Sequence, residues 1–321
     1  MARTDLQFQL EGQQARTSNM SEAADVAFDR VRQPANAECV PSAQATEPVE
    51  RPLAGAPPVL FLLPGSLGYS PSMASFAMAM GKVARVIPIK YPDLRSILDG
   101  DDTVAAMAAV AVEQINRVQP IGHVRLLGHS LGGVVGFEVA ARLLEGGRSV
   151  KFLGILDTSI VEEPSHRRET IMRALRVART SRVNAYRTAC RALAKVTVAI
   201  GCEARLAQFI ERYRKRKFGA TYLRIKLELQ EVLRSRAFFA WLAAPKVALP
   251  IAATVFCCDR DGGPQSLGWD RAFASVDVIR IAGGHVDLVV EPHLRTNSVL
   301  IQKALVQTYT PSESCRREVR P

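Results

Sequence analysis

The sequence has no Cys-x-x-Cys pair. Its six cysteines are Cys39, Cys190, Cys202, Cys257, Cys258 and Cys315, and no Cys/His cluster has zinc-ligand spacing. That excludes a zinc finger or ribbon and leaves them as free thiols. Long apolar runs are missing too. The nearest, TVAAMAAVAVEQI, meets polar residues well short of the roughly 20 residues a bilayer span needs. The opening MARTDLQFQLEGQQ lacks the apolar segment of a secretory signal. A soluble, cytoplasmic protein without a membrane span is expected. Aromatic residues make up only 6% of the chain. No nucleic-acid-binding motif accompanies the net charge of +11, so nucleic acid is not the expected partner. Acidic residues are scarce in one place above all. Residues 165–236 hold 19 Lys and Arg against 5 Asp and Glu, which accounts for the whole positive balance.

What is present is an α/β pattern with uneven ends. Residues 1–52 are rich in Gln, Ala, Ser, Pro and Glu without apolar period and read as a disordered leader or linker; 311–321 read as a disordered polar tail. Between them, PPVLFLLPGSLGYS, ARVIPIKYP, HVRLLGHS and SVKFLGILDTS each carry a short apolar run of strand type. Pro88 argues against a fully paired central position for the second. Helical spacing separates them at 102–118, after an acidic start, and in LGGVVGFEVAARLLEGG, which ends at a Gly-Gly stop. Alternating strands and helices predict a mostly parallel sheet with helices on both faces. Residues 160–244 break the pattern with a long basic helical insertion. Strands return at LPIAATVFCC and ASVDVIRIAGG, and a last helix is predicted over 291–309. There is no internal repeat.

LLGHSLGG, residues 126–133, places Ser130 in a Gly-x-Ser-x-Gly pattern between a predicted strand and a predicted helix. In that context the pattern predicts an exposed nucleophile on a strained turn at the positive end of a helix. A side chain in place of either glycine would collide with the neighbouring strand or helix. A serine nucleophile needs a base and a group to orient it. Of the five histidines, His129 lies inside the elbow and points the wrong way. His123 sits at a strand edge and His166 in the insertion. His285 follows the last strand in IAGGHVDLVVEPH and fits the base; His293, in the last helix, fits a surface or capping role. Three carboxylates compete for the acid: Asp157 ends the strand after the elbow, and Asp259 and Asp261 end the next one in FCCDRDGG. The alternative role for Asp157 is a cap of the following helix. Asp287 is too near His285 in sequence to orient it. The oxyanion needs two backbone N–H groups. Leu131 follows the nucleophile, and Ser66 in PGSLGY is the second candidate, although its glycines also suit a plain tight turn.

FLLPGSLGYS, LLGHSLGG, GILDTS and GGHVDLVVEPH occur in the same order as in the thioesterase domains of nonribosomal peptide and polyketide synthases, and the chain resembles that family over about 57–310. The resemblance implies an α/β-hydrolase fold over 53–310, with 160–244 as a helical lid. It implies release of an acyl or peptidyl chain from the phosphopantetheine of a carrier protein, without metal or organic cofactor. It implies Ser130 as nucleophile, His285 as base and Asp157 as acid. Acid placement after GILDTS resembles the terminal members of the family rather than the stand-alone editing ones. Yet no carrier domain precedes position 57, so a terminal-type enzyme made as a separate polypeptide is expected. A basic lid, with RYRKRK at 212–217, suits docking of an acidic carrier protein, or forms a solvated face. The rival functions are a carboxylesterase or lipase, an acyltransferase, and a non-catalytic binding or scaffold protein.

Overall fold

A computed structural model describes residues 57–161, 179–212, 219–259 and 264–309. The leader at 1–52, the tail at 311–321, His166, Asp261 and residues 213–217 of the basic run lie outside the described residues. All described residues belong to one contact unit that starts at Pro57.

The elements run β1 (Val59–Leu63), α1 (Pro71–Met80), β2 (Arg85–Pro88), α2 (Leu94–Leu98), α3 (Val104–Val118), β3 (Val124–His129), α4 (Leu131–Glu145) and β4 (Val150–Leu156). Then follow α5 (Arg182–Ala199), α6 (Glu203–Arg212), α7 (Gly219–Ala243), β5 (Leu249–Cys258), a short 3-10 turn (Trp269–Arg271), β6 (Phe273–Ile281) and α8 (His293–Val306). All six strands are parallel, in the order β2-β1-β3-β4-β5-β6. Pro88 sits on the edge strand, where a residue without an N–H costs least.

Strands β1, β3 and β4 are buried on both faces, which is why they read as nearly unbroken apolar runs, whereas the edge strands β2 and β6 are only partly covered. Side-chain alternation divides β1 cleanly. Leu60 and Leu62 pack with Met73 and Phe76 of α1 and Ile301 of α8, whereas Phe61 and Leu63 pack with Met107 and Ala111 of α3 and Val134 and Val135 of α4. The chain leaves β1 toward one face through α1 and leaves β3 toward the other through α4. Strand order reverses between these neighbours, so a crevice opens beyond their carboxyl ends. The functional candidates lie there.

Local chemistry sets the helix starts. Ser70 Oγ caps α1 by accepting from Met73 N–H at 3.3 Å, with Pro71 in the first turn. The Ser-Pro pair is the signal by which α1, absent from the sequence reading, could have been found. Thr103, not an acidic residue, caps α3 at 3.0 Å. Asp102 lies before the helix and pairs instead with Arg236 of α7 at 2.7 Å.

The described residues of the insertion lie mostly in α5, α6 and α7, and these pack against the core. Ile160 N–H still bonds Leu267 O at 2.9 Å. Leu229 and Leu233 of α7 and Ala194 of α5 form a small cluster with Leu94 and Ile97 of α2. Further along the same helix, Ala237 and Trp241 enter the main core, and Trp241 Nε1 donates to Glu138 of α4 at 2.6 Å. One 25-residue helix therefore joins the insertion to the core. Among the described residues, no helix is long and apolar enough to cross a membrane.

Candidate active site

Ser130 sits between β3 and α4 with φ 55° and ψ −122°. A non-glycine residue in such a conformation is strained, and the surroundings must hold it. They do so from three sides. Ser130 N–H donates to Leu156 O at 3.2 Å, and Ser130 O accepts from Gly133 N–H at 2.8 Å and from the Thr158 hydroxyl at 2.7 Å. Thr158 is held in turn, because the fully buried Trp269 donates its indole N–H to Thr158 O at 2.7 Å.

The glycines answer to close approach. A Cβ on Gly128 would lie 2.1 Å from Gly132 O, one on Gly132 would lie 2.1 Å from Leu63 O, and one on Gly133 would lie 2.4 Å from Thr158 Oγ1. Elbow, first strand and helix can touch only with no side chain at these points.

Asp157 directly follows β4, also at positive φ (47°), with its side chain fully buried. Its Oδ1 accepts from Cys258 N–H at 3.1 Å, at the end of β5. Its Oδ2 lies 2.9 Å from His285 Nδ1, and its main-chain carbonyl lies 3.0 Å from the same nitrogen. Nδ1 facing two acceptors carries the proton, which leaves the Nε2 lone pair for the opposite side. There Ser130 Oγ lies at 3.0 Å. The structure thus brings together Ser130, His285 and Asp157, drawn from β3, the loop after β6 and the end of β4.

The His285 loop is fixed by Asn297 of α8, which sequence reasoning missed. Its side chain, fully buried, accepts from Ala282 N–H and donates to Ala282 O and Leu288 O, all at 2.8–2.9 Å. No local pattern marks an asparagine in mid-helix for this task. Asp287 accepts from Gly284 N–H, and its other oxygen lies 3.9 Å from His293 Nε2. Both therefore brace the loop away from Ser130. Asp259 is exposed and pairs with Arg280 at 2.6 Å; it does not reach the site.

His129 is not directed at Ser130 Oγ, yet it is part of the site. Its ring stacks on that of His285 with centroids 5.4 Å apart, and its Nε2 donates toward His285 O at 3.3 Å. Burial, reinforced by the neighbouring His285, lowers its pKa to about 4, against the opposing pull of that hydrogen bond and of Asp157.

The loop after β1 passes the elbow: a Cβ on Gly65 would lie 3.4 Å from Ser130 Cβ. Gly68, at φ 79°, closes a turn by donating to Gly65 O at 2.9 Å, and the buried Tyr91 hydroxyl donates to Pro64 O at 2.9 Å. Ser66 lies inside this turn, and Leu131 is the first residue of α4. Among the described residues, no group of three or more His, Cys, Asp or Glu is placed to hold a metal ion.

Comparison with known proteins places this site in a family. A model of the thioesterase domain matches residues 58–296, well over half of the chain. The chain is 28% identical over 105 residues to vanchrobactin synthetase VabF of Vibrio anguillarum, covering 33% of this chain and 4% of that one. It is 32% identical over 108 residues to enterobactin synthase component F of Escherichia coli strain K12, covering 32% of this chain and 8% of that one. The chain therefore spans less than a tenth of the length of these curated relatives. Among solved structures, the NocB thioesterase domain in covalent complex with a fluorophosphonate nocardicin G analogue aligns with a TM-score of 0.55 and 21% identity, over 78% of this chain and 96% of that one. It shares the α/β-hydrolase fold. The family match runs from the first core strand into the last helix, across the elbow, Asp157 and the loop of His285, and the chain belongs to the thioesterase domain family.

Proposed function

We propose that the protein is a serine thioesterase that releases an acyl or peptidyl chain from the phosphopantetheine arm of a carrier protein in nonribosomal peptide or polyketide biosynthesis. What carries the reading is the line Asp157 Oδ2–His285 Nδ1 (2.9 Å) and His285 Nε2–Ser130 Oγ (3.0 Å), in a chain of this family. The named relatives are a vanchrobactin synthetase and a component of an enterobactin synthase, and the matched family is the thioesterase domain, which favours a thioester over a free oxygen ester as substrate.

In the first step Ser130 Oγ bonds to the thioester carbonyl carbon and its proton passes to His285 Nε2. Asp157 orients the imidazole and stabilises its charged form. N–H groups of Leu131 and Ser66 hold the oxyanion. Leu131 suits this because the first N–H groups of a helix have no partner within it. The C–S bond then breaks, the pantetheine sulfur takes the proton from His285, and the chain rests on Ser130 as an ester. In the second step water, or a hydroxyl or amine of the same chain, attacks that ester with His285 again as base. Ser130 regains its proton, and an acid or a ring is released. No metal or organic cofactor enters these steps. The basic insertion, in which α5 carries Arg182, Arg187, Arg191 and Lys195 and no acidic residue, suits an acidic carrier protein, and the reaction belongs in the cytoplasm.

Intact-protein mass spectrometry tests the reading. The protein is mixed with a panel of acyl-N-acetylcysteamine thioesters, with Ser130→Ala alongside. An acyl adduct on the wild type that is absent from the variant is expected. Cleavage of simple oxygen esters without any thioester adduct would indicate an esterase instead. Transfer to an added alcohol or amine would indicate an acyltransferase, and turnover retained in Ser130→Ala would end the serine assignment.

A further inference from the structure

Arg234 belongs to the basic stretch that the sequence assigns to a solvated or docking face, but the structure turns it inward. It is only 6% exposed. Its Nη1 donates to Ser66 O at 3.0 Å and its Nη2 to Pro92 O at 2.9 Å. Its guanidinium lies over the Tyr91 ring, 5.6 Å from the centroid, and Tyr91 is the residue whose hydroxyl holds Pro64 O. One cation on lid helix α7 thus grips the loop after β1 and the loop after β2 together.

The consequence follows from peptide geometry. In a trans peptide the C=O and the next N–H point in opposite directions, so fixing one aims the other. Pro64 O is bound by Tyr91, Gly65 O by Gly68 N–H, and Ser66 O by Arg234. Three successive peptide planes are therefore set through their carbonyls, and with them the N–H directions of Gly65, Ser66 and Leu67. Arg234 fixes the last plane directly and supports the first through Tyr91. Burying a cation is costly, and an arginine is suited to it because its planar fork can satisfy two carbonyls at once.

We infer that Arg234 is a positioning residue: from helix α7 it fixes the peptide plane that follows Ser66 and, through Tyr91, supports the one that precedes Gly65, and so brackets the plane between them that carries the Ser66 N–H proposed to hold the oxyanion. This rests on the serine thioesterase reading and makes α7 part of the oxyanion site as well as a cover. Because α7 also enters the core at Ala237 and Trp241, the guanidinium is carried on an element anchored on both sides of it.

The test compares Arg234→Met and Arg234→Lys with Arg236→Met. Arg236 ties the same helix to Asp102 and Glu203, so its loss reports general loosening of the lid. Hydrogen exchange by mass spectrometry follows the peptide spanning 62–70, and kcat and KM are measured with octanoyl-N-acetylcysteamine. Arg234→Met should speed exchange in that peptide severalfold and lower kcat by about 10- to 100-fold with KM little changed, since a misaimed oxyanion donor acts on the transition state. Arg234→Lys, which keeps one donor direction, should recover part of both, and it decides the matter should the Met variant fail to fold. Arg236→Met should leave both readouts near wild type. Unchanged loop exchange in Arg234→Met, a faster loop with wild-type kcat, or the same losses in Arg236→Met would each overturn the inference. A wild-type protein that never acylates on Ser130 would instead overturn the function proposed above, and loop exchange would still report whether Arg234 holds the loop.

Discussion

The main-chain N–H of Cys258 donates to Oδ1 of Asp157 at 3.1 Å, so the carboxylate that follows β4 is held by the end of β5. Its other oxygen is thereby left for His285. The two strand ends at which an acid was sought meet at one point in space. Asp157→Asn should keep the fold, because Cys258 N–H retains an amide oxygen to bond. The imidazole loses the charge that favours its protonated form, and kcat should fall by about 1,000- to 10,000-fold. Steady-state kinetics with a thioester, beside a thermal melt, checks both halves. A loss smaller than about tenfold would remove Asp157 from the mechanism.

Gly132→Ala should fail at the level of folding rather than chemistry. Its Cβ would lie 2.1 Å from Leu63 O, which is backbone and cannot swing aside. A cost of about 3 kcal/mol or more is expected from overpacking at such a point. Gly147→Ala is the useful contrast: nothing lies within 4 Å of the added methyl, and only the positive φ of 74° resists it, at about 1–2 kcal/mol. Urea denaturation of the two variants gives the comparison, and equal losses would refute the steric argument.

His129 ties stability to pH. An unfolded histidine takes up a proton near pH 6.5, whereas folded His129 does so only near 4. Between these values the unfolded chain binds more protons, so stability is fully present above about 6.5 and declines on acidification toward 4. His129→Gln should remove about 1–3 kcal/mol of that acid sensitivity. Urea unfolding of both proteins at pH values of about 7 and 4.5 measures it as a smaller pH difference in the variant. An unchanged difference would mean that His129 protonates without cost.

Asn297→Ala strips the partners from Ala282 N–H, Ala282 O and Leu288 O around the His285 loop. An unpaired buried group such as Leu288 O costs about 1–3 kcal/mol before water or loop movement relieves it, and the part-buried Ala282 groups cost less. Relief by movement displaces His285, so kcat should fall along with the melting temperature. Wild-type kcat in a destabilised variant would show that the loop holds His285 without Asn297.

The sequence by itself determined the four strands and the helices α3 and α4 between Val59 and Leu156, though not α1 or α2, because parallel strands buried on both faces must be short apolar runs closed by turn residues. It also determined the elbow, since Gly-x-Ser-x-Gly between a strand and a helix states a local steric requirement in residue types. It narrowed the candidate base to His285 by its place after the last strand, and the candidate acid to a few strand ends. Tertiary structure alone decided the rest. Asp157 and Asp259 both end strands, and only the fold buries one against Cys258 and His285 and leaves the other exposed beside Arg280. The sequence treated Arg234 as one of 19 cations in a basic stretch, and Asn297 carried no signal at all. Their roles arise from contacts between elements far apart in the chain, on which local periodicity, capping and turn chemistry place no mark. Which face of α7 turns inward is fixed by packing against α2, α4 and the loop after β1, an interaction that no window of neighbouring residues contains.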